Sequence, residues 1–132
     1  MELVVDTSAL LAVLLDEPER AGLITLTKGA SLLTPGSVPW EVGGALIAGF
    51  RRKRLGAGQV RDAWTSFGRV PLRLLEVTMP RALALAEQLG LCAHDAYVIE
   101  AARAQRAPLL ALDGRLRKAA ATLGLEVWEV TP

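Results

Sequence analysis

The chain has 132 residues, 52% hydrophobic and 22% charged, with a formal net charge of +1. That length suits one domain, residues 1–132, with a real core, and the charge balance gives no global pull toward nucleic acid. The longest unbroken apolar run, Ala9 to Leu15, is too short for a membrane span, no basic segment precedes the apolar opening, and Cys92 is alone; a cytoplasmic protein without signal peptide or disulfide is expected.

Leu3-Val4-Val5 reads as a buried strand ending at Asp6. Ser8 to Asp16 reads as a helix that Asp6 or Thr7 can cap. Pro18 can open a second helix running to about Lys28, with Gly29 as its stop. Ser31 to Thr34 is a short strand. Pro39 begins a long helix through about Arg54, closed by Gly56, and Gln59 to Phe67 forms another. Leu72 to Val77 is a third strand. Pro80 to Leu89 is a helix stopped by Gly90, and His94 to Gln105 is a helix halted before Pro108. Leu109 to Leu112 is a fourth strand, apolar throughout and so buried on both faces. Arg115 to Leu123 is the last helix, with a possible fifth strand over Glu126 to Val130. Strands alternate with helices, which predicts a mainly parallel sheet of four or five strands with helices on both faces.

In such a sheet ligands bind beyond the carboxyl ends of the strands. The chain has only five Asp residues, and three of them, with one Glu, fall at that edge: Asp6 after the first strand, Asp113 after the fourth, and Glu41 and Asp95 at helix N-termini. Singly, each has an ordinary role as a cap or a complement to a helix dipole. Together, four carboxylates in one cleft repel one another unless cations hold them. The pattern points to an oxygen-ligand site for Mg²⁺ or Mn²⁺. Asp95 is the least secure member, because a helix and a loop separate it from its strand.

Ser8, two residues after Asp6, can support a metal-bound water or simply cap its helix. The cations are twelve Arg and three Lys, and Arg suits bidentate phosphate contacts. Arg115, Arg117 and Lys118 follow Asp113 and are placed to grip a backbone phosphate; a solvated helix face is their plain alternative. His94 is a candidate phosphate or base contact. Trp40, next to Glu41, can stack on a base, although core packing is the simpler role, and Trp64 and Trp128 read as core or interface. Arg51 to Arg54 lie roughly 15 Å from Glu41 along a helix axis, too far for catalysis.

Taken in order, Asp6-Thr7-Ser8-Ala9-Leu10, Pro39-Trp40-Glu41-Val42, His94-Asp95-Ala96-Tyr97 and Leu112-Asp113-Gly114-Arg115-Leu116 resemble the motifs of PIN-domain proteins, and the size resembles that of VapC-type toxins. The resemblance implies a three-layer α/β/α sandwich and a metal-dependent endoribonuclease. Such a protein acts on an RNA substrate, forms a homodimer and is blocked by a cognate antitoxin. It makes Asp6, Glu41, Asp95 and Asp113 the acidic quartet that holds Mg²⁺ or Mn²⁺, supported by Ser8. Two positions depart from the pattern. Ala111 stands where many relatives carry a hydroxyl, and His94 stands where an aromatic is common. The alternatives are a catalytically degenerate PIN-like binding domain and a haloacid-dehalogenase-like phosphatase; the latter expects an Asp where this chain has Ser8.

Overall fold

The structure is a computed structural model and describes residues 1–130. The elements run β1 (Glu2–Val5), α1 (Thr7–Leu14), α2 (Arg20–Thr27), β2 (Ser31–Pro35), α3 (Val38–Arg51), α4 (Ala57–Phe67), β3 (Leu72–Leu75), α5 (Met79–Leu89), α6 (Ala93–Gln105), β4 (Leu109–Leu110), α7 (Gly114–Thr122) and β5 (Val127–Trp128). The five strands form one sheet in the order β3-β2-β1-β4-β5, and every pairing is parallel. The register sets Leu3 beside Leu32 and Val5 beside Leu110.

Alternation along β1 divides the core. Leu3 and Val5 face a layer built with Leu10, Leu23, Val42, Leu46 and Phe67, from α1 to α4. Val4 faces the opposite layer, with Leu33, Leu85, Ile99, Leu109 and Leu116. Helices α1–α4 therefore cover one face of the sheet and α5–α7 the other, giving the three-layer α/β/α sandwich expected from the sequence. Leu3, Val4, Leu33, Leu109 and Leu116 are fully buried, and each such side chain contributes about 1.5–3 kcal/mol relative to an exposed one.

The element boundaries shift at some ends. Pro18 does not open α2; the helix starts at Arg20 because Asp16 turns left-handed (φ 54°) and Glu17 N–H folds back on Ala12 O at 2.8 Å. The fourth strand keeps only Leu109 and Leu110, since Leu112 N–H leaves the sheet for a side chain of α1. Gly90 ends α5 as expected, in the left-handed region (φ 65°) that glycine adopts without strain.

The strand order reverses at β1: β2 and β3 lie on one side of it, β4 and β5 on the other. At such a switch point the helices leave in opposite directions and open a crevice at the carboxyl edge. No helix of the described residues is long and apolar enough to cross a membrane.

Candidate functional site

Asp6 occupies that crevice. It ends β1 and caps α1 with an extended backbone (φ −87°, ψ 161°). The residue is buried, at 8% exposure, and its carboxylate accepts from Ser8 Oγ at 2.9 Å and Ser8 N at 3.3 Å. Burial pushes the Asp6 carboxyl above its usual range; the hydrogen bonds from Ser8 and Thr7 oppose that rise, and the nearby Glu41 charge adds to it. Two acids are thus within electrostatic reach in a partly dry crevice.

Glu41 sits in the first turn of α3, its side chain 13% exposed. Three groups converge on it, from α1, from the turn before α3 and from α6. Thr7 Oγ1 donates to Oε1 at 3.3 Å, Ser37 Oγ donates to Oε2 at 2.9 Å, and His94 Nδ1 lies 3.4 Å from Oε2. Thr7, a candidate cap in the sequence, leaves that role to Asp6 and serves Glu41 instead, and Ser37 is not among the sequence candidates. Ser37 had a readable signal, for it stands four residues before Glu41 at the entry to a helix, where such pairs share a face.

The His94–Glu41 contact also settles where α6 begins. The N-terminus of α6 lies beside that of α3, which brings Asp95, in the first turn of α6, to the same edge. Asp95 is half-buried, and among the described residues no hydrogen bond or ion pair engages its side chain. His94 packs edge-on against Tyr97, with ring centroids 5.9 Å apart.

Asp113 caps α7, its Oδ1 accepting from Arg115 N at 2.9 Å and Leu116 N at 3.1 Å. It is exposed. Ser8 ties this end of the site to Asp6. The same hydroxyl that donates to Asp6 accepts from Leu112 N at 3.0 Å, so one side chain clamps the end of β1 to the segment after β4. Ala111 is buried and offers no donor.

The basic residues of α7 divide. Arg117 pairs with Glu129 and buries its Nε without a partner among the described residues. Arg115 and Lys118 are exposed, and among the described residues neither forms an ion pair. Trp40 is not in the core: it is 83% exposed. Its backbone belongs to the first turn of α3, whose buried side is taken by Val38 and Val42.

The four acids do not form a ready-made metal cage. Among the described residues, no group of three or more His, Cys, Asp or Glu side chains is spaced to hold an ion. Asp6 turns its Oδ2 to Ser8 and Asp113 turns its Oδ1 to helix amides. The donor set is nonetheless hard oxygen throughout. Asp6 and Glu41 also repel each other with hydroxyl groups and one imidazole as their polar neighbours. These residues fit a hard divalent cation, which binds through one or two carboxylates and keeps several waters.

No curated protein matches the chain. Solved structures do. The crystal structure of PAE2754 from Pyrobaculum aerophilum superposes with a TM-score of 0.70 at 24% identity, covering 93% of this chain and 86% of that one. VapBC2 from Rickettsia felis, bound to a promoter DNA fragment, gives 0.68 at 12% identity over 99% of this chain and 100% of that chain. VapC20 from Mycobacterium tuberculosis, described as a Sarcin-Ricin loop cleaving toxin, gives 0.68 at 20% identity over 98% and 99%. These likenesses agree with the sheet order and layers described above. The family model of the PIN domain matches residues 3–122, which spans Asp6, Glu41, Asp95 and Asp113 and sets aside the haloacid-dehalogenase alternative. The chain belongs to the PIN-domain family.

Proposed function

We propose that this protein is a divalent-metal-dependent endoribonuclease, the toxin of a type II toxin–antitoxin pair, hydrolysing RNA phosphodiester bonds at Asp6, Glu41, Asp95 and Asp113. The observation that carries the reading is the buried Asp6 carboxylate, raised in pKa by burial and by Glu41, at the switch point of a parallel sheet. Two like charges that feel each other in a partly dry site are a standing repulsion that a cation relieves. The toxin assignment is supported by family membership and by neighbours described as a toxin and as a toxin–antitoxin complex.

Mg²⁺ or Mn²⁺ bound at these carboxylates would acidify a water and neutralise phosphate oxygens. The chain's own residues prepare that site. Thr7 and Ser37 fix the Glu41 carboxylate from two sides. Ser8 fixes Asp6 and aligns it with the β4 end. Asp95 keeps its carboxylate free of protein partners among the described residues. Arg115 and Lys118 supply positive charge beside Asp113 for the RNA backbone. Arg117 is engaged by Glu129 and is left out of that role. His94 lies 3.4 Å from Glu41 and faces solvent, so it can meet a phosphate or base.

The departure at Ala111 is the feature that favours a degenerate binding domain. Against it, the Ser8 hydroxyl serves the same junction through Leu112 N. We assign the protein a cytoplasmic location and a homodimeric state, the latter supported by exposed apolar side chains such as Leu74, Met79 and Leu83. An apolar cavity of about 310 Å³ between α1, α2 and the turn after α4, lined by Val13, Leu23, Ile24 and Val70, suits an apolar side chain of the antitoxin.

The test is cleavage of single-stranded or loop RNA in Mg²⁺ or Mn²⁺, abolished by EDTA. Asp6→Asn and Asp95→Asn remove cleavage and leave the circular dichroism spectrum unchanged. Undiminished cleavage by Asp6→Asn, from a preparation free of host nucleases, refutes the assignment.

A further inference from the structure

The chain carries three tryptophans, and two have internal partners. Trp64 lies against Phe67 with ring centroids 5.3 Å apart. Trp128 is half-buried in the core layer of α1–α4 and donates its Nε1–H to Glu126 Oε1 at 3.2 Å. Trp40 differs. At 83% it is the most exposed of the large hydrophobic side chains, and among the described residues its ring joins no aromatic pair and its indole N–H no hydrogen bond. An indole left in water forfeits the burial that normally stabilises it.

Its position gives that exposure a use. Trp40 is the residue before Glu41, so their Cα atoms are about 3.8 Å apart. Glu41 accepts from Thr7 and Ser37, and His94 Nδ1 lies 3.4 Å away. The first turn of α3 is thereby fixed, and Trp40 projects from it one residue before that carboxylate, with its ring in solvent. An indole on a fixed backbone orders only its own two side-chain torsions when it stacks, so little is lost on binding. Exposed apolar residues of α3 further along, Ile47 and Phe50, continue away from the crevice. They mark the competing occupant, a second copy of the chain lying along α3.

We infer that Trp40 stacks on a nucleobase flanking the scissile phosphate, making it a positioning residue for single-stranded RNA. This rests on the ribonuclease reading above. Stacking is sequence-tolerant because every base has a π-face, and removing an aromatic platform weakens single-strand binding by about tenfold or more. Adjacency to the acids, whose charge repels the RNA backbone, makes an uncharged contact valuable there.

The experiment uses the full chain carrying Asp6→Asn, with Mg²⁺, and two fluorescein-labelled probes: oligoadenylate and an abasic ribose–phosphate strand of equal length. Trp40→Ala should weaken oligoadenylate binding about tenfold and leave abasic binding unchanged, while Trp40→Phe retains most of the affinity. Size-exclusion chromatography with light scattering should give the same mass for all three proteins. Equal loss on both probes, or none on oligoadenylate, overturns the stacking role. So does a change in mass on Trp40→Ala matched by Ile47→Ala, which would assign the ring to a second copy. If the Trp40-intact protein binds neither probe and the parent cleaves no RNA, the ribonuclease reading falls with it; if the parent cleaves and Trp40→Ala changes neither kcat/KM nor affinity, only the stacking role falls.

Discussion

Replacing Ser8 by Ala cuts the clamp between the two halves of the crevice. The hydroxyl donates to the Asp6 carboxylate at 2.9 Å and accepts from Leu112 N at 3.0 Å. A hydrogen bond to a buried charge contributes about 1.5–3 kcal/mol, and an amide deprived of its partner at a half-buried site adds about 1 kcal/mol. The metal-free variant should therefore lose about 3 kcal/mol at neutral pH, which for a chain of this size lowers Tm by about 10 °C. The loss should depend on pH, with a definite sign. Asp6 is raised in the folded state, so the folded protein holds that proton more tightly than the unfolded chain does. Stability from this group is full below the unfolded-state pKa, falls as pH rises through the folded-state pKa, and stays reduced above it. Without Ser8 the folded-state pKa climbs further, because a bond that favours the charged form is gone. The gap between variant and parent should accordingly narrow in acid, where only the Leu112 contribution remains, and be widest at neutral pH. Thermal melts followed by circular dichroism across acid to neutral pH measure this, and Ser8→Thr, which keeps a hydroxyl, should recover most of the loss. A Tm drop under about 2 °C at neutral pH, or one that does not vary with pH, refutes the clamp.

Asp6→Asn keeps a capping side chain but removes the buried charge, so the metal-free variant should melt above the parent at neutral pH. Saturating Mg²⁺ or Mn²⁺ should raise the parent by about 2.7 kcal/mol at a hundredfold excess over Kd and leave Asp6→Asn nearly unmoved; calorimetric scans with and without EDTA check both. Asp113 is exposed and bonds to the amides of its own helix, so Asp113→Ala should destabilise by about 1 kcal/mol while Asp113→Asn changes stability little, as denaturant midpoints will tell. Arg115→Gln and Lys118→Gln should each weaken RNA binding and reduce its salt slope. Arg117→Gln should act mainly on stability through Glu129, so an affinity titration against salt separates the three.

The sequence alone carried the alternation of strands and helices, hence a parallel α/β sheet, because burial on two faces writes itself as short apolar runs such as Leu109-Leu110. It also marked Asp6 and Asp113 as acids at strand ends, since capping chemistry is local and leaves Asp-Thr-Ser and Asp-Gly at those positions. Three things were decided by tertiary structure. Asp95 joins the edge because α6 packs its start beside α3, a placement signalled by the His94–Glu41 contact and not by any spacing along the chain. Ser8 became a clamp across the sheet because Leu112, far away in sequence, arrives 3.0 Å from its hydroxyl. Trp40 went outward although its size favours the core, because Val38 and Val42 already occupy the buried side of α3. Local preferences fix elements and caps within a few residues; which side chains meet across the crevice depends on packing between elements, which no short stretch of sequence contains.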